Sequence, residues 1–221
     1  MPFAPRAVLR RQIDAASLLG FEVCLASELE FYLFWESPRD ARGRGFLSLE
    51  PTTAARSTYG IAPTVAQQPL LEAIRGAMQS SGIPVSSAQA EAGRGQWEVN
   101  MEHADPMRAA DCHSAFKAGV KELARQAGRA VTFMARPVPD DLGSSCHIHL
   151  SLQRDGCPLF PARPGSGDLS ELARHAIGGL LHNLDASAIF FAPYANSYKR
   201  HAPGFAAGQV AAWGMDNRSV A

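Results

Sequence analysis

Three short stretches of the chain set acids, amides and imidazoles two residues apart: Glu28-Leu-Glu30, Gln96-Trp-Glu98-Val-Asn100 and His147-Ile-His149-Leu-Ser151. In extended backbone, residues two apart point to the same face. Glu28 and Glu30 therefore share a face opposite Leu29, Phe31 and Leu33. Gln96, Glu98 and Asn100 oppose Trp97, Val99 and Met101, and His147, His149 and Ser151 oppose Ile148, Leu150 and Leu152. Any one of these is most simply an amphipathic strand with a wet face. Solvent faces, however, mix acids with Lys, Arg and Thr, whereas these hold only metal-ligating and hydrogen-bonding groups. Carboxylates at i and i+2 on one face repel each other, and a divalent cation relieves the repulsion. Glu91, which precedes Glu98 across Gly93 and Gly95, adds an oxygen from the adjoining turn. A donor set of glutamates with one or two histidines is mostly hard oxygen and selects Mg²⁺ or Mn²⁺ over zinc or copper.

Two arginines add a second theme. Arg200 follows Asn196-Ser-Tyr-Lys, and Arg218 sits in Asp216-Asn-Arg-Ser219, each in a Gly- or Pro-containing loop. A single arginine is most often a solvated surface residue; beside a magnesium site, its planar fork suits a phosphate or carboxylate substrate. Metal and arginines together point to phosphoryl transfer. No GxxxxGK[ST] occurs, so any nucleotide is not held by a P-loop. His147-x-His149 is also a zinc-hydrolase pattern. It comes late in the chain, and His175, His182 and His201 have no matching acid, so this reading ranks well behind.

The elements that must position these groups are legible from periodicity. The spacing predicts a helix over 6–19 closed by Gly20, extended structure over 21–34, and a long mobile loop over 36–63. A helix over 65–81, strands at 83–91 and 96–101, and a helix opened by Asp105-Pro106 and ending at Gly128 follow. Short strands at 130–135 and 146–152 precede a last long helix, capped by Asp168, that buries Leu172, Ala176, Ile177, Leu180, Leu181 and Leu184. Beyond Pro193 the chain reads as irregular. Mixed elements at this density mean an α+β or mixed α/β fold. Lys+Arg 21 against Asp+Glu 21 leaves no net charge, hence no electrostatic case for nucleic acid or an anionic membrane. Met1 to Arg11 holds two prolines and three arginines without an apolar stretch, and the four cysteines form no CxxC pair. Both fit a cytoplasmic protein.

Six segments, in order, resemble the glutamine synthetase family: Glu28–Phe34, Glu91–Glu98, Thr132–Pro137, Gly143–Leu152, Asn196–Arg200 and Trp213–Ser219. Each is weak alone, and six in register are specific. The resemblance implies the family's catalytic-domain fold, a curved antiparallel sheet lining a metal site with helices outside. It implies that Glu30, Glu91 and Glu98 hold one Mg²⁺ or Mn²⁺, and that Glu28 with His147 serves a second. His149 and Ser151 match positions near the nucleotide, and Gly143 lies in the loop over glutamate. Arg200 matches the arginine on the glutamate carboxylate, and Arg218 the one on the ATP phosphates. The implied reaction is ATP-dependent: glutamate is phosphorylated on its γ-carboxylate, and an amine or ammonia then displaces phosphate. Homo-oligomers are the family's working form.

Three departures qualify this. Glutamine-forming members carry a Glu after the Pro-Gly that follows the Asn-Ser-Tyr-Lys-Arg motif, where it helps bind ammonium; here Pro203-Gly204-Phe205 is followed by Ala206. Leu142 replaces an Asn usual in ammonia users. Both resemble the γ-glutamylpolyamine synthetase branch, whose acceptor is an organic amine. Arg94 stands where Pro is common, and no reason for it is visible in the sequence. Family members are about twice as long, with an N-terminal β-grasp domain and a C-terminal continuation. The chain thus reads as a partial catalytic domain over 1–221, which is either a ligase or a binding remnant of one.

Overall fold

The computed structural model describes residues 3–56, 58–163, 167–201, 207–208, 210–217 and 220. Helix α1 (Pro5–Leu18) opens on a proline at its first position, where no N–H is needed, and the chain leaves it at Gly20, φ +75°. Strand β1 (Glu22–Phe34) follows, then α2 (Pro38–Gly43), α3 (Ile61–Ser80), β2 (Val85–Ala90), β3 (Gln96–Met101) and α4 (Pro106–Gln126). The short β4 (Ala130–Thr132) precedes β5 (Cys146–Arg154) and β6 (Cys157–Pro158). Helices α5 (Glu171–His182), α6 (Leu184–Phe191) and α7 (Ala195–Tyr198) and a 3₁₀ turn (Lys199–His201) close the described chain. The fold is therefore α+β, as the residue pattern predicts. Strand order is β2-β3-β1-β5-β6, with β4 also on β1. Among the described residues, no helix is long and apolar enough to cross a membrane.

The chain forms two compact units. One comprises Ala26–His103 and Arg108–Ile148; the other comprises Met1–Leu25, Ala104–Met107 and His149–Ala221. The first unit holds the principal core. Leu29, Phe31 and Leu33 of β1 and Trp97, Val99 and Met101 of β3 point inward, as their alternation requires. They pack with Leu70, Leu71, Ile74 and Met78 of α3 and with Phe116, Val120 and Ala124 of α4. Phe133 closes one end, its ring 5.3 Å from Phe31 and 6.4 Å from Phe116. Because the odd-numbered residues of β1 and β3 are sunk in this core, their even-numbered partners are held on the opposite face.

Three sequence expectations are corrected. The 36–63 stretch is not one irregular loop. Ser37 caps α2 by accepting a hydrogen bond from Asp40 N–H (3.2 Å). The buried Glu36 carboxylate accepts from Arg44 (2.6 Å) and from Glu50 N–H (3.0 Å), which folds the segment back on itself. The long C-terminal helix is two helices, and its cap is Ser170, whose Oγ accepts from Ala173 N–H, rather than Asp168. Within α5 only Ala173 is buried, and Leu180 is 62% exposed. After Pro193 the chain makes a short helical turn at 195–201 rather than irregular structure.

This distribution predicts a contrast in urea unfolding. Ile74→Ala, which empties space at a fully buried position, is expected to cost about 2–5 kcal/mol. Leu180→Ser is expected to stay within about 0.5 kcal/mol of wild type. Equal losses from the two would contradict the placement of the core.

Candidate metal and substrate site

Pairing of β1 with β3 sets Glu30 directly opposite Glu98 and Glu28 opposite Asn100. Pairing of β2 with β3 sets Gln89 opposite Glu98. Glu91 follows β2 at the start of the turn into β3, and its backbone N–H donates to Gln96 O (2.9 Å). From the first residues of β5, His147 Nδ1 lies 3.2 Å from Glu28 Oε2. Five of the predicted ligands, Glu28, Glu30, Glu91, Glu98 and His147, thus meet within one unit. Among the described residues, no group of three or more His, Cys, Asp or Glu side chains is spaced so that it could hold a metal ion as it stands.

Neutral donors hold the carboxylates. Gln96 Nε2 donates to Glu30 Oε2 (2.7 Å) and to the Gly143 carbonyl (3.0 Å). Ser145 N–H donates to the same Glu30 oxygen (3.0 Å), and the Ser145 hydroxyl donates to the other. Gln89 Nε2 donates to Glu98 Oε1 (2.7 Å). The electrostatic cost of the cluster appears at Glu91 and Glu98. Burial, and after it the Glu30 and Glu98 charges, push the Glu91 carboxyl above its ordinary value. Burial is also the main cause of the upward shift at Glu98; the Glu28 and Glu30 charges add to it, and a hydrogen bond with Asn100 opposes it. Crowded oxygen donors with one imidazole match the chemistry of a hard divalent cation, so the donor types, though not their present spacing, fit Mg²⁺ or Mn²⁺.

The loop that precedes β5 is seated on this face. Tyr32, fully buried on the Glu30 side of β1, donates from its hydroxyl to the Leu142 carbonyl (2.5 Å). Gly93 packs so closely on Tyr32 and Gln96 that a Cβ there would collide with both side chains. Gly143 is thereby fixed next to the glutamates, its carbonyl bonded to the same Gln96 that grips Glu30. Sequence reasoning missed Gln89, Ser145 and the tyrosine. Gln89 shares the strand face of Glu91 by spacing alone, so its signal was present. Ser145, through its N–H and hydroxyl, and Leu142, through its carbonyl, act from a loop, which leaves no periodic trace.

The remaining candidates fall elsewhere. His149 and Ser151 lie on β5 and Arg200 in the 3₁₀ turn, all within the other unit. On β5 the apolar side is not buried, with Ile148 at 60% and Leu150 at 49% exposure. Arg218 and the Pro203-Gly204-Phe205-Ala206 stretch lie outside the described residues.

The sequence profile described as "Glutamine synthetase, catalytic domain" matches residues 2–221. The chain belongs to the glutamine synthetase family. It is 37% identical over 219 residues to a γ-glutamylethanolamide synthetase of Streptomyces coelicolor, covering 99% of this chain and 46% of that protein. It is 34% identical over 218 residues to a glutamate–isopropylamine ligase of a Pseudomonas species, covering 98% of this chain and 48% of that one. A ligand-free structure titled "Apo GmaS" superposes with a TM-score of 0.80 at 29% identity, over 90% of this chain and 46% of the other. The chain therefore spans about half the length of the curated relatives it matches.

For this family member the carboxylate cluster makes a signed prediction. Glu98→Gln removes one of the crowded charges and should raise the metal-free stability by about 0.5–1 kcal/mol near pH 7. A carboxyl whose folded pKa is raised destabilises the fold above that pKa, and the cost fades as pH falls through it toward the unfolded value of 4.5. The advantage of Glu98→Gln should shrink over that interval. Added Mn²⁺ should raise the wild-type melting temperature and leave the variant's nearly unchanged; equal Mn²⁺ gains in both would contradict the assignment of Glu98.

Proposed function

We propose that the chain is the catalytic part of an ATP-dependent carboxylate–amine ligase that joins glutamate, through its γ-carboxyl, to an organic amine. The observation that carries this reading is the meeting of Glu28, Glu30, Glu91, Glu98 and His147 beside the Gly143 loop, in a chain of the glutamine synthetase family. A γ-carboxylate oxygen of glutamate attacks the terminal phosphorus of ATP, and ADP leaves with the bond electrons. The amine nitrogen then attacks the acyl carbon of γ-glutamyl phosphate; the C–O bond to phosphate breaks, and the nitrogen gives up a proton. In this assignment Glu30, Glu91 and Glu98 hold one divalent cation, and Glu28 with His147 contributes to a second. When bound, Mg²⁺ or Mn²⁺ neutralises phosphate charge and opens the phosphorus to attack.

The protein's own contribution is largely positional. Gln96 and Ser145 fix the direction of the Glu30 carboxylate, and Gln96 ties it to the Gly143 loop, which keeps the substrate loop and the charged face at a set spacing. By the family resemblance, His149 and Ser151 flank the nucleotide, Arg200 takes the glutamate carboxylate and Arg218 the phosphates. Leu142 and Ala206 carry the choice of acceptor. Leu142 offers no side-chain hydrogen bond and Ala206 no anion for NH₄⁺, so an ammonium ion loses its partners while an alkyl amine gains apolar room. Two relatives are named for ethanolamide and isopropylamine products or substrates, which supports the same choice.

The test is phosphate release by the 221-residue chain with Mn²⁺, ATP and glutamate, comparing ethanolamine, isopropylamine, putrescine and ammonium as acceptors. Amine-dependent release that exceeds the ammonium rate is expected. Turnover with ammonium equal to or above that with every amine would overturn the acceptor assignment. Mn²⁺-dependent ADP binding without turnover under any acceptor would instead support a binding-only member of the family.

A further inference from the structure

Arg94, the departure without an explanation in the sequence, lies in the turn between Glu91 and Gln96 and has a specific partner. Its Nε–H and its backbone N–H both donate to Asp141 Oδ2, each at 3.0 Å. Asp141 is fully buried. Its other oxygen accepts from Leu142 N–H (2.9 Å) and from Arg56 Nε–H (3.1 Å), and Arg56 also donates to the Asp140 carbonyl (3.1 Å). Gly95 N–H donates to the Thr53 hydroxyl (2.6 Å). Three segments distant in sequence, 53–56, 94–95 and 140–142, therefore converge on one buried carboxylate. On one side of this junction stands Glu91; on the other, Leu142 leads through Gly143 to Ser145, which grips Glu30.

A buried carboxylate needs full compensation, and here two guanidiniums and two backbone N–H groups supply it. Burial works against ionisation of Asp141, and the hydrogen bonds from Arg94 and Leu142 with the Arg56 charge overcome it, leaving the carboxyl below its ordinary value. Both arginines remain partly exposed, at 55% for the Arg56 side chain and 40% for that of Arg94. They close over the acid from the surface. Neither the acid nor the arginines belong to the carboxylate cluster itself.

We propose that Asp141, clasped by Arg94 and Arg56, is a positioning residue that locks the Glu91 turn to the 142–145 loop, so that the cation-binding face and the Gly143 loop are held as one piece. This role rests on the cation and substrate reading given above, and it gives the unusual Arg94 a purpose: its side chain adds a second bond to an acid that its backbone already meets. Arg94→Ala retains the backbone bond, the Leu142 bond and Arg56, so the chain is expected to fold.

The test uses Arg94→Ala, Arg56→Ala and Arg94→Lys in the full chain, with Ile74→Val as a control of lowered core stability. Hydrogen–deuterium exchange in segments 91–95 and 142–145 should be faster in Arg94→Ala and in Arg56→Ala, in the absence of metal. Mn²⁺ binding measured by calorimetry, well below the melting temperature, should weaken about tenfold in Arg94→Ala. It should be largely recovered in Arg94→Lys and be unchanged in Ile74→Val. Unchanged exchange in both segments overturns the clasp, as does Mn²⁺ affinity in Arg94→Ala equal to wild type. A wild-type chain that takes up no Mn²⁺ overturns the cation reading alone; exchange then decides the clasp, faster exchange supporting it and unchanged exchange overturning it.

Discussion

Glu30 and Glu98 stand directly opposite each other across an antiparallel strand pair. That juxtaposition is the constraint to which the rest of the unit responds. Like charges directly opposite on one strand face are destabilising, by about 0.2–1 kcal/mol for a cross-strand pair. The sequence makes no attempt to dilute the charge with lysine. It surrounds Glu30 instead with Gln96, the Ser145 N–H and the Ser145 hydroxyl, and Glu98 with Gln89. Hydrogen bonds to a charged group stabilise by about 1.5–3 kcal/mol each, enough to keep Glu30 in place. They are neutral, however, and cannot remove the charge. The residue of the repulsion is visible where burial and neighbouring carboxylates raise Glu91 and Glu98. Under the proposed assignment, a cation would remove the charge that these neutral donors leave in place.

The core explains why the strain is tolerated. Leu29, Phe31, Leu33, Trp97, Val99 and Met101 are all buried on the other side of the same two strands. A slip of one residue in register would exchange this set for the carboxylates, so hydrophobic burial fixes the carboxylates' position. The 142–145 loop and the Glu91 turn, which have no such core of their own, are tied down by polar contacts at Tyr32, Gln96 and Asp141. Apolar packing thus sets the strands, and hydrogen bonds set the loops.

This division also explains what could be read from the residues alone. Alternation along β1 and β3 identifies both the core and Glu28, Glu30 and Glu98, because period two is a property of the chain itself. The same alternation at 147–151 offers His147, and the turn before β3 offers Glu91; Gly143 comes by resemblance to the six family segments. What stayed hidden depends on contacts between distant segments. Arg94 meets Asp141 across 47 positions, and Ser145 meets Glu30 across 115; neither spacing has a period. The α2 helix inside 36–63 was missed because six residues show too little periodicity. The break between α5 and α6 was missed because the helical spacing of Leu180, Leu181 and Leu184 carries across it, and the shift of the cap from Asp168 to Ser170 was a choice between two good capping residues.

The central claim is that the opposed glutamates form a divalent-cation site. Its most direct test is a crystal of the chain grown with Mn²⁺, with anomalous scattering recorded at the manganese edge. The account predicts an anomalous peak bounded by the carboxylates of Glu30, Glu91 and Glu98. Well-ordered glutamates with no peak among them, or Mn²⁺ bound only at other acids, would contradict it.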